Sequence, residues 1–229
     1  KERALAFIKQ DITLKEDKAR CFYIGGQSGA GKSTIHDIIK KENPNIVIID
    51  GDRFRERHPN FELIEKIHGI NSANYTQSFS NNIVGALIEK LSCDGYNLII
   101  EGTCRRADVP MKTCNDLKEK GYRVELAVMC TDAQTSWQST VDRYNTMKAL
   151  GLIPRAVPLD KYKEMVSALS QNIGILYNAK IFDDIKLYDR EKNCLYQYLT
   201  NPQVNPQSIV EYKLFEYLHQ EEINEGIEI

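Results

Sequence analysis

The sequence predicts an α/β fold with a central, mostly parallel sheet covered by helices. Three observations carry this expectation. Short apolar runs alternate with longer stretches of helical periodicity, the order that builds parallel strands through crossover helices. The first apolar run passes directly into a glycine-rich turn, "GGQSGAGKST", and then a helical pattern. With 42% apolar residues among 229, the chain has enough material for one core.

The elements follow in order. Residues 1–20, "KERALAFIKQDITLKEDKAR", interleave charge with apolar positions and are expected to form a helix beside the first strand, with no apolar run of signal-peptide type. Strands are expected at 21–24, 46–49, 97–100, 124–129 and 185–188, each a short apolar run. Between them "STIHDIIKKE", "YTQSFSNNIVGALIEKLS", "VPMKTCNDLKEKG" and "AQTSWQSTVDRYNTMKAL" place apolar residues at helical spacing, and a short helix starts near Arg53. A helix over 158–177 precedes a hairpin through "LYDREKNCLYQYL", and a last helix covers about 206–218. No repeat, low-complexity tract or linker divides the chain, so residues 1–229 read as a single domain, with 140–160 as a helical lid segment.

Composition removes several function classes. Thirty basic against thirty-two acidic residues give a net charge of −2, without the surplus that binding a phosphate backbone requires, so no nucleic-acid partner is expected. No segment is apolar for long enough to span a bilayer, and no membrane role is expected. The six cysteines show no CxxC pairing and read as reduced thiols of a cytoplasmic protein.

The run Gly26-Gln27-Ser28-Gly29-Ala30-Gly31-Lys32-Ser33 satisfies GxxxxGK[ST] between a strand and a helix, the setting of a P-loop. Its glycines let the backbone wrap a polyphosphate, and the amides that open the helix, from Lys32 through Thr34, face the anion. Lys32 is expected to reach the β- and γ-phosphates of a nucleoside triphosphate, and the Ser33 hydroxyl to bind Mg²⁺. The motif says nothing about the acceptor.

In such sheets ligands collect at the carboxyl ends of the strands. The second strand runs into "IIDGDRFRERHPNF", where Asp52 is better placed than Asp50 to accept a proton from an attacking hydroxyl; the alternative is that these aspartates only cap the next helix. The third strand ends in "NLIIEGTCRRADVP", offering Glu101 to the metal's surroundings or a substrate and Thr103 and Arg105 as hydroxyl and guanidinium donors; the alternative is a Glu101–Arg105 surface ion pair. Arg143 and Arg155 lie in or beside the lid segment and either approach the transferring phosphoryl or remain at the surface. The histidines lack metal-ligand spacing; His58 is expected near the pocket and His36 in a structural or exposed place.

Taken together, "GGQSGAGKSTIH", "IVIIDGDRFRERHP", "GYNLIIEGTCRRADVP", "DRYNTM" followed by "PRAVP", and "IFDDIKLYDREKNCLY" resemble the zeta toxin family, in order from about residue 21 to 199. The resemblance implies a P-loop kinase that uses ATP or GTP with Mg²⁺ to phosphorylate the 3′-hydroxyl of the aminosugar of UDP-N-acetylglucosamine or a related UDP-sugar, blocking peptidoglycan synthesis. It implies Asp52 as general base, Glu101, Thr103, Arg105 and Thr113 as UDP-sugar contacts, Arg143 and Arg155 as phosphate clamps, and a small helical antitoxin covering the nucleotide site. Arg106, Asn145 and Gly85 depart from the family pattern and bear on the choice of sugar. Two other functions share parts of this site: a kinase of another small alcohol, such as an antibiotic or nucleoside, and a nucleotide-gated binding module, in which Asp52→Asn would spare function.

Overall fold

A computed structural model describes residues 19–216; the expected helix over residues 1–20 lies outside them, apart from its last two positions. Six strands form one sheet: β1 (Arg20–Gly25), β2 (Ile46–Ile49), β3 (Asn97–Glu101), β4 (Arg123–Met129), β5 (Asp184–Tyr188) and β6 (Cys194–Gln197), in the spatial order β2-β3-β1-β4-β5-β6. The first five pair in parallel, and β6 returns antiparallel to β5 through the expected hairpin. The α/β expectation is met, and the central strand β1 is the one that leads into the phosphate loop.

Side chains alternate across the pleat, so each strand supplies two cores. On one face Phe22, Ile24, Ile99, Ala127 and Met129 pack against Ile35 and Ile39 of α1 (Ser33–Glu42). On the other, Cys21, Tyr23, Val47, Ile49, Leu98 and Ile100 meet α4 (Ser72–Cys93), α5 (Asp108–Glu119) and α7 (Leu159–Ala179). Helix α8 (Gln207–Leu214) adds Val210 and Leu214 to that face. Burying a strand on both sides explains why these runs are almost wholly apolar.

Buried polar groups at the strand starts, Asn97, Glu125 and Asp184, interrupt the pattern. Glu125, 3% exposed within β4, accepts from Arg20 Nη2 (2.7 Å), Arg123 Nε (2.9 Å) and Lys186 Nζ (3.3 Å), so three strands meet at one carboxylate. All six cysteines are free thiols. Among the described residues, no helix is long and apolar enough to cross a membrane.

Between β2 and α4 the chain departs from expectation. The helix near Arg53 is a single turn, α2 (Asp52–Arg55), and is followed by an unexpected helix, α3 (Phe61–His68). No α3 residue is buried, and Leu63 and Ile67 are exposed. With "HPN" before it and "HGIN" after it, this segment reads as a loop when scanned for a core-facing stripe. Helix α4 also starts earlier than expected, at Ser72 rather than Tyr75. Helix α6 (Ala133–Ala149) and the connection 150–158 together occupy the expected lid segment.

Candidate active site

The β1–α1 connection forms a tight cradle at the carboxyl edge of the sheet. Gly29 has φ +75°, and a Cβ there would lie 2.0 Å from the Ser136 carbonyl oxygen of α6, so only glycine lets the loop pass. Gly26 is similarly constrained, with φ +130° and a virtual Cβ 2.9 Å from the Met129 carbonyl oxygen. Gln27 turns its side chain inward, where Nε2 donates to Thr131 O (2.6 Å) and Ser136 Oγ (3.0 Å), leaving only its backbone to serve the loop. Ala30 is fully buried, Ser28 lines the adjoining clefts, and Ser33 is exposed at the first position of α1, with Thr34 beside it.

Lys32 is held within this loop. Its ammonium, on a side chain 11% exposed, donates to the carbonyls of Gly26 (3.2 Å) and Gln27 (3.2 Å) and lies 3.7 Å from Glu101 Oε1. The other oxygen of Glu101 faces His36 Nε2 at 3.1 Å. Burial pushes the Glu101 carboxyl up, but His36 and Lys32 outweigh it and hold the group below its ordinary range. Glu101 therefore pairs with the phosphate loop and α1 instead of Arg105, which lies 3.7 Å from Glu164 of α7. His36, expected to be structural or exposed, belongs to this cluster. It follows Lys32 by four positions on α1, the spacing that puts two side chains on one helix face.

The two aspartates of "DGD" take different roles. Asp50 Oδ1 accepts from the Asp52 amide (2.9 Å) and closes the turn into α2, while Ser80 Oγ of α4 donates to Gly51 O (2.5 Å) and fixes it from behind. Asp52 is thereby left out of the capping role, and its Oδ1 accepts from Arg55 Nε (2.8 Å). Arg55 also donates to Ala73 O (2.8 Å), which ties the pair to the start of α4. Their acidities diverge. Burial, then Glu101 and Asp52, push Asp50 up. Burial also acts upward on Asp52, but Arg55, Lys32 and Arg155 overcome it and bring that carboxyl below its ordinary range. The shifts run in opposite directions, and it is Asp52 that the surrounding cations hold in its charged form.

Two clefts meet at this point. One, of about 480 Å³, is lined by Lys32, Asp50, Asp52, Val84, Gly85, Glu101, Thr103, Arg105, Arg106 and Thr113. The other, of about 360 Å³, is lined by Asp52, Arg55, Glu56, Arg143, Arg155 and Met165. Ser28, Asp52, Arg55, Gln77, Thr103 and Arg105 line both. The two clefts thus bring Asp50, Asp52, Glu101, Thr103, Arg105, Thr113, Arg143 and Arg155 around one junction. Arg155 is engaged by Glu56, through Nη2 at 2.8 Å and Nε at 3.2 Å. Arg143 is exposed on α6, facing the second cleft. Thr103 Oγ1 accepts from the Arg105 amide (3.4 Å), and Thr113 Oγ1 donates to Val109 O of its own helix (3.0 Å). His58 stacks edge-on to Phe79 and lines a groove beside α3, away from the junction.

The family model described as "Zeta toxin" matches residues 6–200. The chain belongs to the zeta toxin family. Among curated members it is 44% identical over 175 residues to Toxin PezT of Streptococcus pneumoniae, covering 76% of this chain and 69% of that protein. It is 36% identical over 209 residues to Toxin zeta of Streptococcus pyogenes, covering 90% and 73%. A solved structure from the PezAT chromosomal toxin-antitoxin system of Streptococcus pneumoniae superposes with a TM-score of 0.83 at 37% identity, covering 93% of this chain and 84% of that one. For this zeta toxin homologue, family and fold agree with a phosphotransferase of the P-loop kinase type.

Proposed function

We propose that this zeta toxin homologue transfers the γ-phosphate of ATP or GTP to the 3′-hydroxyl of the aminosugar of UDP-N-acetylglucosamine or a related UDP-sugar, and that it acts as a toxin by blocking peptidoglycan synthesis. The observation that carries this reading is the position of Asp52, an ionised carboxylate at the junction of two clefts and on the same cleft wall as Lys32. A kinase of an alcohol needs that arrangement: a base on the acceptor side and cations on the phosphoryl side.

Each residue's part follows from its place. Asp52 receives the proton of the acceptor hydroxyl and orients its oxygen for attack, with Arg55 fixing the carboxylate's direction. Lys32 exchanges its two loop carbonyls for phosphate oxygens. Glu101, Thr103, Arg105 and Thr113 line the first cleft and bind the UDP-sugar. Arg143 and Arg155 stabilise charge on the transferring group, and Arg155 leaves Glu56 to do so. Residues 140–160 serve as the lid that brings them in and excludes water.

The cradle fits a magnesium nucleotide. Gly26 and Gly29 occupy places that a Cβ would block, and Ser33 presents an exposed hydroxyl at the mouth of the helix. Ser33 would be the residue of this chain that holds a Mg²⁺ ion accompanying the nucleotide. Such an ion would supply positive charge against the phosphate charge that develops during transfer. Because a solved relative comes from a toxin-antitoxin system, a small helical antitoxin over the nucleotide site is part of the proposal.

The deciding experiment is ³¹P NMR of the full chain with Mg-ATP and UDP-N-acetylglucosamine, alongside Asp52→Asn. A new phosphomonoester resonance that requires both the sugar and Asp52 is the expected result. ATP binding without that resonance would remove this acceptor and turn the search to other UDP-sugars and small alcohols.

A further inference from the structure

A guanidinium behind the phosphate loop takes no part in the chemistry above. Arg190 lies in the turn between β5 and β6, which Asp189 fixes by accepting from Asn193 N (2.8 Å) and Asn193 Nδ2 (2.8 Å). From this anchored turn Arg190 Nε donates to Ala30 O (3.2 Å), and Nη2 donates to Gly29 O and to Ser139 Oγ of α6 (2.9 Å). Among the described residues, no ion pair joins Arg190 to a carboxylate. Among the described residues its hydrogen bonds go to carbonyl and hydroxyl oxygens.

This has a consequence for the amides. In a trans peptide the carbonyl of one residue and the N–H of the next point in opposite directions. The Ala30 carbonyl is gripped by Thr131 Oγ1 (2.7 Å) as well as Arg190, so the Gly31 N–H is turned to the side away from both. An anion cradle needs its amides presented in that fashion, and a nearby cation adds to the attraction. Without Arg190 the Ala30 carbonyl keeps only Thr131 and the Gly29 carbonyl loses its side-chain donor, so a loop whose Gly29 and Gly31 sit at positive φ is held less tightly.

We propose that Arg190 is a positioning residue for nucleotide binding: it holds the Gly29 and Ala30 carbonyls outward, keeps the Gly31 amide facing the phosphates, and supplies positive charge behind the loop. The proposal rests on the nucleotide-binding reading above but concerns a residue that touches the loop, not the acceptor. Arg190→Ala is expected to weaken Mg-ATP binding about tenfold, the scale of one charge-assisted hydrogen bond, and to raise the nucleotide KM far more than it lowers kcat. Arg190→Lys keeps the charge but cannot span three acceptors, and falls between wild type and Arg190→Ala.

The test is calorimetric titration of the full-length wild type, Arg190→Ala and Arg190→Lys with Mg-ATP, together with amide hydrogen exchange at residues 29–31 and thermal unfolding. Graded loss of affinity with faster exchange in the loop and little change in unfolding temperature supports the proposal. If Arg190→Ala binds Mg-ATP within about twofold of wild type, the proposal is overturned and the kinase reading stands. If Arg190→Ala does not fold, Arg190→Lys decides by the same limit. A wild type that binds neither Mg-ATP nor Mg-GTP overturns both readings.

Discussion

At the scale of single residues, the site turns on which carboxylate is left to take a proton. Arg55 is the largest influence lowering Asp52, so the base is ionised across the neutral and mildly acidic range and loses function only as pH falls through its depressed pKa. Asp52→Asn is expected to lower kcat by about 10² to 10⁴, the contribution of a positioned general base, while Mg-ATP titration shows nearly wild-type affinity. Arg55→Ala removes the partner that holds Asp52 down. Its pKa then rises, and the acid limb of the kcat/KM profile moves to higher pH; an unmoved limb would assign the proton transfer to another group. "DGD" marked a candidate base in the sequence, but the division of labour between Asp50 and Asp52 was not visible there. It depends on Asp50 closing the turn and on Arg55 being tied to Ala73, a contact across 18 positions.

At the scale of elements, the phosphate loop is local in sequence but supported from afar. Gly26, Gly29 and Gly31 were legible because GxxxxGK[ST] is contiguous. Thr131, Ser136, Ser139 and Arg190, which brace the loop from beneath, come from three other parts of the chain and carry no motif. Gly29→Ala drives a methyl group into the Ser136 carbonyl and strains a left-handed residue. It is expected to abolish Mg-ATP binding while the sheet still unfolds cooperatively, which far-ultraviolet circular dichroism with ATP titration can check. Helix α3 was missed for the opposite reason: none of its apolar residues is buried, so its pattern had no core to point at.

Across the whole molecule, stability and pH are linked through Glu125. Burial acts upward on this carboxyl, but Arg20, Arg123 and Lys186 bring it below its ordinary value of 4.5. Because the folded pKa is depressed, the stabilisation is fully present above about pH 4.5 and is lost as pH falls through the lower folded pKa. Glu125→Gln is expected to cost about 3 kcal/mol at pH 7, the low end for breaking a buried pair, since its three cations keep partial access to water. Urea unfolding between pH 7 and pH 3 would then show a smaller acid loss in the variant than in wild type; equal slopes would exclude Glu125 as its source.

By itself, the sequence determined the α/β class, the five parallel strands, the hairpin, the phosphate loop and the family, because each is carried by contiguous patterns of apolar spacing or glycine placement. Only the tertiary structure decided that Glu101 faces Lys32 and His36 instead of Arg105, that Asp52 stands where two clefts join, and that Arg190 holds the loop from behind. Those are contacts between strand ends and turns far apart in the chain. Their partners are selected by sheet order and packing, which leave no local spacing to read.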